Sequence, residues 1–198
     1  MICACYSVYN CAGTLEDSIK AILPHVDKLI FVDGICLDLY WSHHCAQDKT
    51  KITPWSTDGT REIISKYAKK YKKKVIVHLN KDAWIHEVEK RNKYLELANG
   101  QDGDYYAIVD GDEIWTGDVE AGLKEIVDSG RCGEVMHEDW VGDKKEADRW
   151  YLRIWRHVPG IHYCRVHTML FDAGHVPLPS PFGVVRTDRF KIMNVHKG

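Results

Sequence analysis

No stretch of this chain approaches the roughly 20 consecutive apolar residues that span a bilayer, and no charged segment leads into a long apolar run at Met1. Neither a membrane-spanning helix nor an export signal is expected. The seven cysteines, Cys3, Cys5, Cys11, Cys36, Cys45, Cys132 and Cys164, include no CxxC pair, and their number is odd. That argues against a disulfide framework and for reduced thiols in a cytoplasmic protein. His43-His44-Cys45 is the one local cluster with soft-ligand character. It lacks a second half at zinc-finger spacing and reads as a loop feature. No Pro-, Gly- or Ser-rich linker divides the 198 residues, so a single domain is expected. A net charge of -2, with 28% charged residues, gives no global attraction for nucleic acid. The basic run from Lys69 to Lys74, broken by Tyr71, reads as a solvated helix end and leaves open a peripheral contact with an anionic membrane surface.

What the chain does have is an apolar run that stops at a cluster of acids, Tyr105-Tyr106-Ala107-Ile108-Val109-Asp110-Gly111-Asp112-Glu113. The apolar part suits a short buried strand, and several carboxylates at its end are costly to hold together without a cation. Hard carboxylate oxygens select Mg2+, Mn2+ or Ca2+, and Gly111 allows a turn that lets Asp110 and Asp112 converge. The alternative for the same residues is a solvated acidic turn.

The elements around this run alternate. Ile2 to Val8 reads as a strand, with a turn at residues 9 to 13. Thr14 and Asp17 resemble a capping box for a helix from about Leu15 to Leu23. Lys28 to Val32 is a second strand, and Ile35 to Trp55 is a long aperiodic segment rich in aromatic and histidine residues. Ser56-Thr57-Asp58-Gly59-Thr60 supplies N-caps for a helix carrying Ile63, Ile64, Tyr67 and Ala68, and Lys74 to Leu79 is a third strand. Trp84, Val88, Leu95 and Ala98 form a helical stripe on which Arg91 occupies an apolar position. Either that guanidinium snorkels from the edge of the stripe, or the face lines a cleft and reaches an anion. Val119, Leu123, Ile126 and Val127 mark a helix after the fourth strand. The order β-α-β-α-β-α-β-α predicts an α/β fold with a mostly parallel sheet and ligands beyond the carboxyl ends of its strands, where Asn10, Asp33 and Asp110 lie. After Gly133 the short β-prone runs, from Glu134 to Val141, Arg149 to Arg156, Ile161 to His167 and Phe190 to Val195, predict an antiparallel, loop-rich half.

Val8-Tyr9-Asn10, Val32-Asp33-Gly34, Ser56-Thr57-Asp58-Gly59-Thr60, Arg91-Asn92 and Asp110-Gly111-Asp112-Glu113, in this order and spacing, resemble family 2-like glycosyltransferases of the GT-A fold. Leu152-Arg153-Ile154-Trp155-Arg156, Val166-His167 and Val195-His196 are similar to shorter bacterial members that lengthen sugar chains. The resemblance implies one glycosyltransferase-like domain over residues 1–198, with a nucleotide-sugar-binding half at 1–115 and an acceptor-side half at 116–198. Two departures stand out: residues 35–55 intervene where the family joins its motifs almost directly, and Thr168 follows Val166-His167 where related members carry Glu.

The resemblance also implies roles. The donor is a nucleoside-diphosphate sugar, a UDP-sugar being the first choice, and the acceptor is a glycan or another hydroxyl. Mn2+ or Mg2+ held by Asp110 and Asp112 would offset charge on the departing diphosphate. His196 would complete the metal shell, with His167 as its competitor. Tyr9, Asn10 and Asp33 would face the base or ribose, with Asp58 beside them. Arg91 would approach the diphosphate or the carboxylate cluster, near Asp110. Inversion at the anomeric carbon needs a carboxylate to take the acceptor proton, and Glu138 and Asp139, next to Trp140, are the candidates. A metal-dependent nucleotidyltransferase would also use Asp-x-Asp and a cleft Arg, but residues 9 to 13 contain one Gly and no Lys or Arg to cradle phosphates. A catalytically inactive carbohydrate-binding relative is the other alternative.

Overall fold

The computed structural model describes residues 1–38, 53–141, 144–164, 170–174, 177–179 and 182–196. Among the described residues, ten strands and four α-helices follow in the order β1 (Ile2–Val8), α1 (Ala12–Ile22), β2 (Lys28–Asp33), α2 (Thr60–Lys70), β3 (Val75–Leu79), α3 (Glu87–Ala98), β4 (Tyr105–Asp110), β5 (Glu113–Gly117), α4 (Val119–Ser129), β6 (Cys132–Val141), β7 (Lys144–Arg156), β8 (His162–Tyr163), β9 (Leu170–Phe171) and β10 (Val184–His196). A single turn of 3-10 helix, Leu23–His25, follows α1.

Eight strands form one sheet in the order β3-β2-β1-β4-β7-β6-β10-β5. The β3, β2, β1 and β4 strands are mutually parallel, as the alternating sequence predicts. The second half is mixed, because β6 pairs parallel with β10 while β4/β7, β6/β7 and β10/β5 are antiparallel. Chain direction explains the parallel pair: β7 intervenes between β6 and β4, and β10 returns from a distant segment onto the other edge of β6.

The sheet has a core on each face because strand side chains alternate. Ala4, Tyr6 and Val8 of β1 pack with Leu15, Ile19 and Ile22 of α1. Cys3 and Cys5 point the other way, toward Tyr94, Leu95 and Ala98 of α3. Each fully buried Leu or Ile on α1 contributes about 1.5–3 kcal/mol of transfer free energy. None of the six described cysteines is in a disulfide. Among the described residues no helix is long and apolar enough to cross a membrane.

Several local expectations need correction. The first helix begins at Ala12, and Thr14 is no cap: its Oγ1 donates to the carbonyl of Gly111 at 2.9 Å, tying α1 to the acidic turn. Trp84 lies before α3, donating its indole N–H to the carbonyl of Asp33 at 3.0 Å. The helix starts later because both carboxylate oxygens of Asp38 accept from the Glu87 amide, at 3.2 and 3.1 Å. The acid run does not lead straight into a helix, since Glu113 to Gly117 forms β5 against β10. Of the 35–55 insertion, residues 39–52 lie outside the described part. Its first residues pair with the segment before α3, through the bridge Cys36 to Trp84.

Candidate active site

In an α/β sheet whose strand order runs outward on both sides of one strand, the crevice lies where the order reverses. Here β2 and β4 flank β1, so the reversal falls between β1 and β4. At their carboxyl ends is a cleft of about 360 Å³, lined by Tyr9, Asn10, Cys11, Thr14, Asp110 and Asp112 among others.

The walls of this first cleft are held by side-chain-to-backbone bonds. Asn10 adopts φ 48°, a left-handed conformation that Asn tolerates better than most residues. Its amide donates to Ser56 Oγ at 2.8 Å, and its own Oδ1 accepts from the Thr57 amide at 3.0 Å. Tyr9 Oη donates to the carbonyl of Thr53 at 3.0 Å. Gly111 is required by close approach: a Cβ there would lie 2.4 Å from Cys11 Sγ. Burial pushes the Cys11 thiol up to about 12, so it is an inert wall.

Asp33 and Asp58 stand behind this wall. Asp33 is 0% exposed, and its carboxylate accepts from Ser56 and from the Arg61 guanidinium. It braces the segment that carries Ser56 and does not line the cleft. Asp58 accepts from the Ala12 amide at 2.9 Å and from the Thr60 amide at 3.0 Å. Burial raises its pKa, but the bonds from Thr60 and Ala12 outweigh that and hold it below the ordinary carboxylate value. Asp58 thereby fastens the start of α2 to the start of α1.

A second cleft, of about 280 Å³, opens on the other side of Asp110. Arg91, His137, Asp139, Tyr151, Arg153 and Asn194 are among its lining residues, and Asp110 belongs to both clefts. Arg153 Nη1 lies 3.3 Å from Asp110 Oδ2, and Arg91 Nη2 lies 3.6 Å from Oδ1. Burial raises the Asp110 pKa, yet Arg153 and then Arg91 hold it below the ordinary value. Arg91 is itself fixed by Glu87 at 2.6 Å and by the Tyr94 hydroxyl at 3.2 Å. The stripe position of Arg91 is thus a cleft position.

Of the two candidate bases, the fold brings one to the cleft. Asp139 lines it, 29% exposed, and its Oδ1 accepts from Asn194 Nδ2 at 3.3 Å. Glu138, the neighbouring residue on β6, points to the opposite face, where Lys191 at 2.8 Å and the Trp140 indole at 3.2 Å engage it. The Lys191 bond chiefly accounts for its lowered pKa. Trp140 is accordingly a partner of Glu138.

Three residues to which the sequence assigns no role of their own hold the site together. Glu113, 1% exposed, accepts from the Asp110 amide at 3.0 Å, from His137 Nε2 and from Arg153, so it fixes the backbone of the acid run. Lys90, 2% exposed, donates to the carbonyls of Val8 at 2.8 Å and Gly34 at 2.6 Å, closing the ends of β1 and β2 behind the first cleft. Arg153 is the third. Alternation along β6 is the signal that places His137 with Asp139 and sets Glu138 apart. Lys90 and Arg153 had no periodic signal, because their partners are distant in sequence.

Among the described residues no three His, Cys, Asp or Glu side chains form a ready-made metal shell. The side chain of His196 and the whole of His167 lie outside the described residues. Asp110 and Asp112 nonetheless present hard oxygens at one cleft, and a Mg2+-like ion commonly takes one or two carboxylates with the rest from substrate phosphates. The donor set fits such an ion bound together with a diphosphate.

The sequence profile of glycosyl transferase family 2 matches residues 55–177, more than half of the chain. The chain belongs to that family. No curated protein sequence matches it. A crystal structure of S. aureus TarS residues 1-349 is similar in fold, with a TM-score of 0.50 and 16% identity over 74% of this chain. The same TarS fragment in complex with UDP-GlcNAc gives a TM-score of 0.50 at 16% identity, again over 74% of this chain. The match covers 37% and 36% of those two chains, so this chain corresponds to little more than a third of their length. The mixed α/β architecture is the GT-A type expected from the sequence.

Proposed function

We propose that this protein transfers a sugar from a nucleoside-diphosphate donor to a hydroxyl acceptor, with the nucleotide in the first cleft and the acceptor in the second. The observation that carries this reading is the position of Asp110, common to both clefts at the carboxyl ends of β1 and β4. Family membership favours sugar transfer over nucleotidyl transfer. The UDP-GlcNAc complex of the TarS fragment supports a UDP-sugar as donor.

In this reading Tyr9 and Asn10 form the wall against which the base and ribose rest. Asp33 and Asp58 act from behind it, through Ser56 and through the helix starts. Asp110 and Asp112 would hold Mn2+ or Mg2+ on the diphosphate side, a cation that offsets charge on the leaving group when bound. His196 remains a candidate third ligand because β10 pairs with β5 up to Asn194 and Glu113, two residues before it. Arg91 and Arg153 keep Asp110 ionised and aimed between the clefts.

The acceptor oxygen forms its bond to the anomeric carbon while the bond from that carbon to the diphosphate oxygen breaks. Asp139 takes the acceptor proton, and the nucleoside diphosphate departs with the bonding electrons. The lysines at the end of α2 stand apart from both clefts and suit a peripheral contact with an anionic membrane.

Release of UDP from a panel of UDP-sugars, with and without Mn2+, tests the reading. Release from one sugar, dependent on Mn2+ and lost in Asp112→Ala, is the expected result. Folded protein that binds carbohydrate yet releases no UDP would point to the inactive binding relative instead.

A further inference from the structure

His137 is 4% exposed on β6, yet both of its ring nitrogens face carboxylates. Nε2 lies 3.0 Å from Glu113 Oε1, and Nδ1 lies 3.4 Å from Asp139 Oδ1. The Tyr151 ring meets the imidazole edge to face, with centroids 5.2 Å apart and planes at 83°, which restricts rotation of the ring. Glu113 in turn is bonded to Arg153 and to the Asp110 amide. An unbroken series of contacts therefore runs from Asp110 through Arg153, Glu113 and His137 to Asp139. Its two ends are the carboxylate shared by the clefts and the carboxylate assigned as the base.

We propose that His137 is a positioning residue for the sugar transfer, holding Asp139 in the orientation in which it accepts the acceptor's proton. The inference rests on the preceding assignment of Asp139. Asn194 engages the same oxygen, Oδ1, from β10. One hydrogen bond leaves a carboxylate free to swing about its terminal torsion, a broad, roughly two-fold one. The imidazole edge of His137, on the same strand, lies 3.4 Å from that oxygen without a hydrogen bond to it; this close packing limits the swing and leaves the other oxygen as the acceptor. Histidine suits the place because its two nitrogens lie on different edges of one rigid ring. One edge is anchored on Glu113, which the acid turn already fixes, and the other meets Asp139. A single amide side chain reaches only one of these partners.

That difference provides the test. In His137→Asn the amide nitrogen takes the place of Nδ1 and keeps the contact with Asp139. In His137→Gln it takes the place of Nε2 and keeps the contact with Glu113. Both variants of the full chain are compared for UDP-sugar hydrolysis kcat and KM, for UDP binding by calorimetry, and for Tm. The expected result is a kcat about 10–100-fold lower in His137→Gln, with KM and UDP affinity within about 3-fold of wild type. His137→Asn should keep kcat within about 5-fold of wild type, although it loses the more buried contact. Equal kcat losses in the two variants that track their Tm, or wild-type kcat in His137→Gln, would overturn the inference while leaving the sugar-transfer reading intact. Wild-type protein that binds no UDP-sugar would overturn that reading, and this inference with it. If His137→Gln does not fold, Asn194→Ala, which frees the other side of Asp139, should lower kcat without altering KM. An unchanged kcat there would count as the same refutation.

Discussion

The two clefts that meet at Asp110 are built on different plans. The first is made of loops, and hydrogen bonds between side chains and backbone hold it: Ser56 and Thr57 on Asn10, Asp58 on Ala12, Thr14 on Gly111. The second is made of side chains from β4, β6, β7, β10 and α3: Arg91 and Arg153 pair with Asp110, and His137 lies between Glu113 and Asp139. Loop walls can change shape around a nucleotide at little cost to the core. A charge lattice on strands keeps its members fixed, which is what proton transfer at one carboxylate demands.

The largest effect is expected where the plans overlap. Asp112→Ala should lower UDP release by about 100–1,000-fold, the usual consequence of removing one electrostatic stabiliser of a leaving group. Comparable release from variant and wild type would remove the metal from the account. Next comes the pair of neighbours on β6. Asp139→Asn should reduce kcat by about 100-fold or more with UDP binding retained, whereas Glu138→Gln should leave kcat within about 2-fold. Steady-state kinetics on both variants decides whether the second cleft holds the base. The reverse ranking would mean that the strand alternation has been misassigned.

A smaller effect is expected behind the loop wall. Asp33→Asn leaves the Arg61 guanidinium facing a neutral amide in a buried place, at a cost of about 1–3 kcal/mol. It should appear as a lower Tm and a higher KM for the donor, with kcat little changed. A fall in kcat with KM intact would assign Asp33 to the chemistry. The smallest effect is the response to acid. Asp110 has a folded-state pKa below its ordinary value, so its pairing contributes stability that is present above the unfolded pKa of about 3.9. That contribution is lost as pH falls through the folded value. Asp110→Asn should be less stable than wild type at neutral pH, and the gap in Tm should close toward pH 3. A gap independent of pH would show that the charge of Asp110 does not stabilise the fold.

The same contrast explains how much could be read from the sequence. The parallel half was legible because each element is local: β1, β2, β3 and β4 come from contiguous apolar runs, and their ends mark the first cleft. That Asp110 and Asp112 lie together was legible because one turn carries both. The second cleft depends on pairings between distant segments, and only the fold brings Arg153 to Asp110 or Asn194 to Asp139. Strand β5 was invisible for that reason: Ile114-Trp115-Thr116 is too short to announce itself and gains its partner from β10. The start of α3 was misplaced because Trp84 fits the helical stripe, while the cap that begins the helix, Asp38, lies 49 residues upstream of Glu87. Asp33 ends a strand, where a ligand contact is expected, and only the fold shows that Arg61, the second residue of α2, is bonded to it.

The division of labour between the clefts is tested most directly by a crystal of the protein soaked with a UDP-sugar and Mn2+. The account predicts uridine against Tyr9 and Asn10, the diphosphate beside Asp110 and Asp112, and the sugar crossing Asp110 with its anomeric carbon toward Asp139. Nucleotide bound in the second cleft, between Arg153 and Asp139, would contradict it.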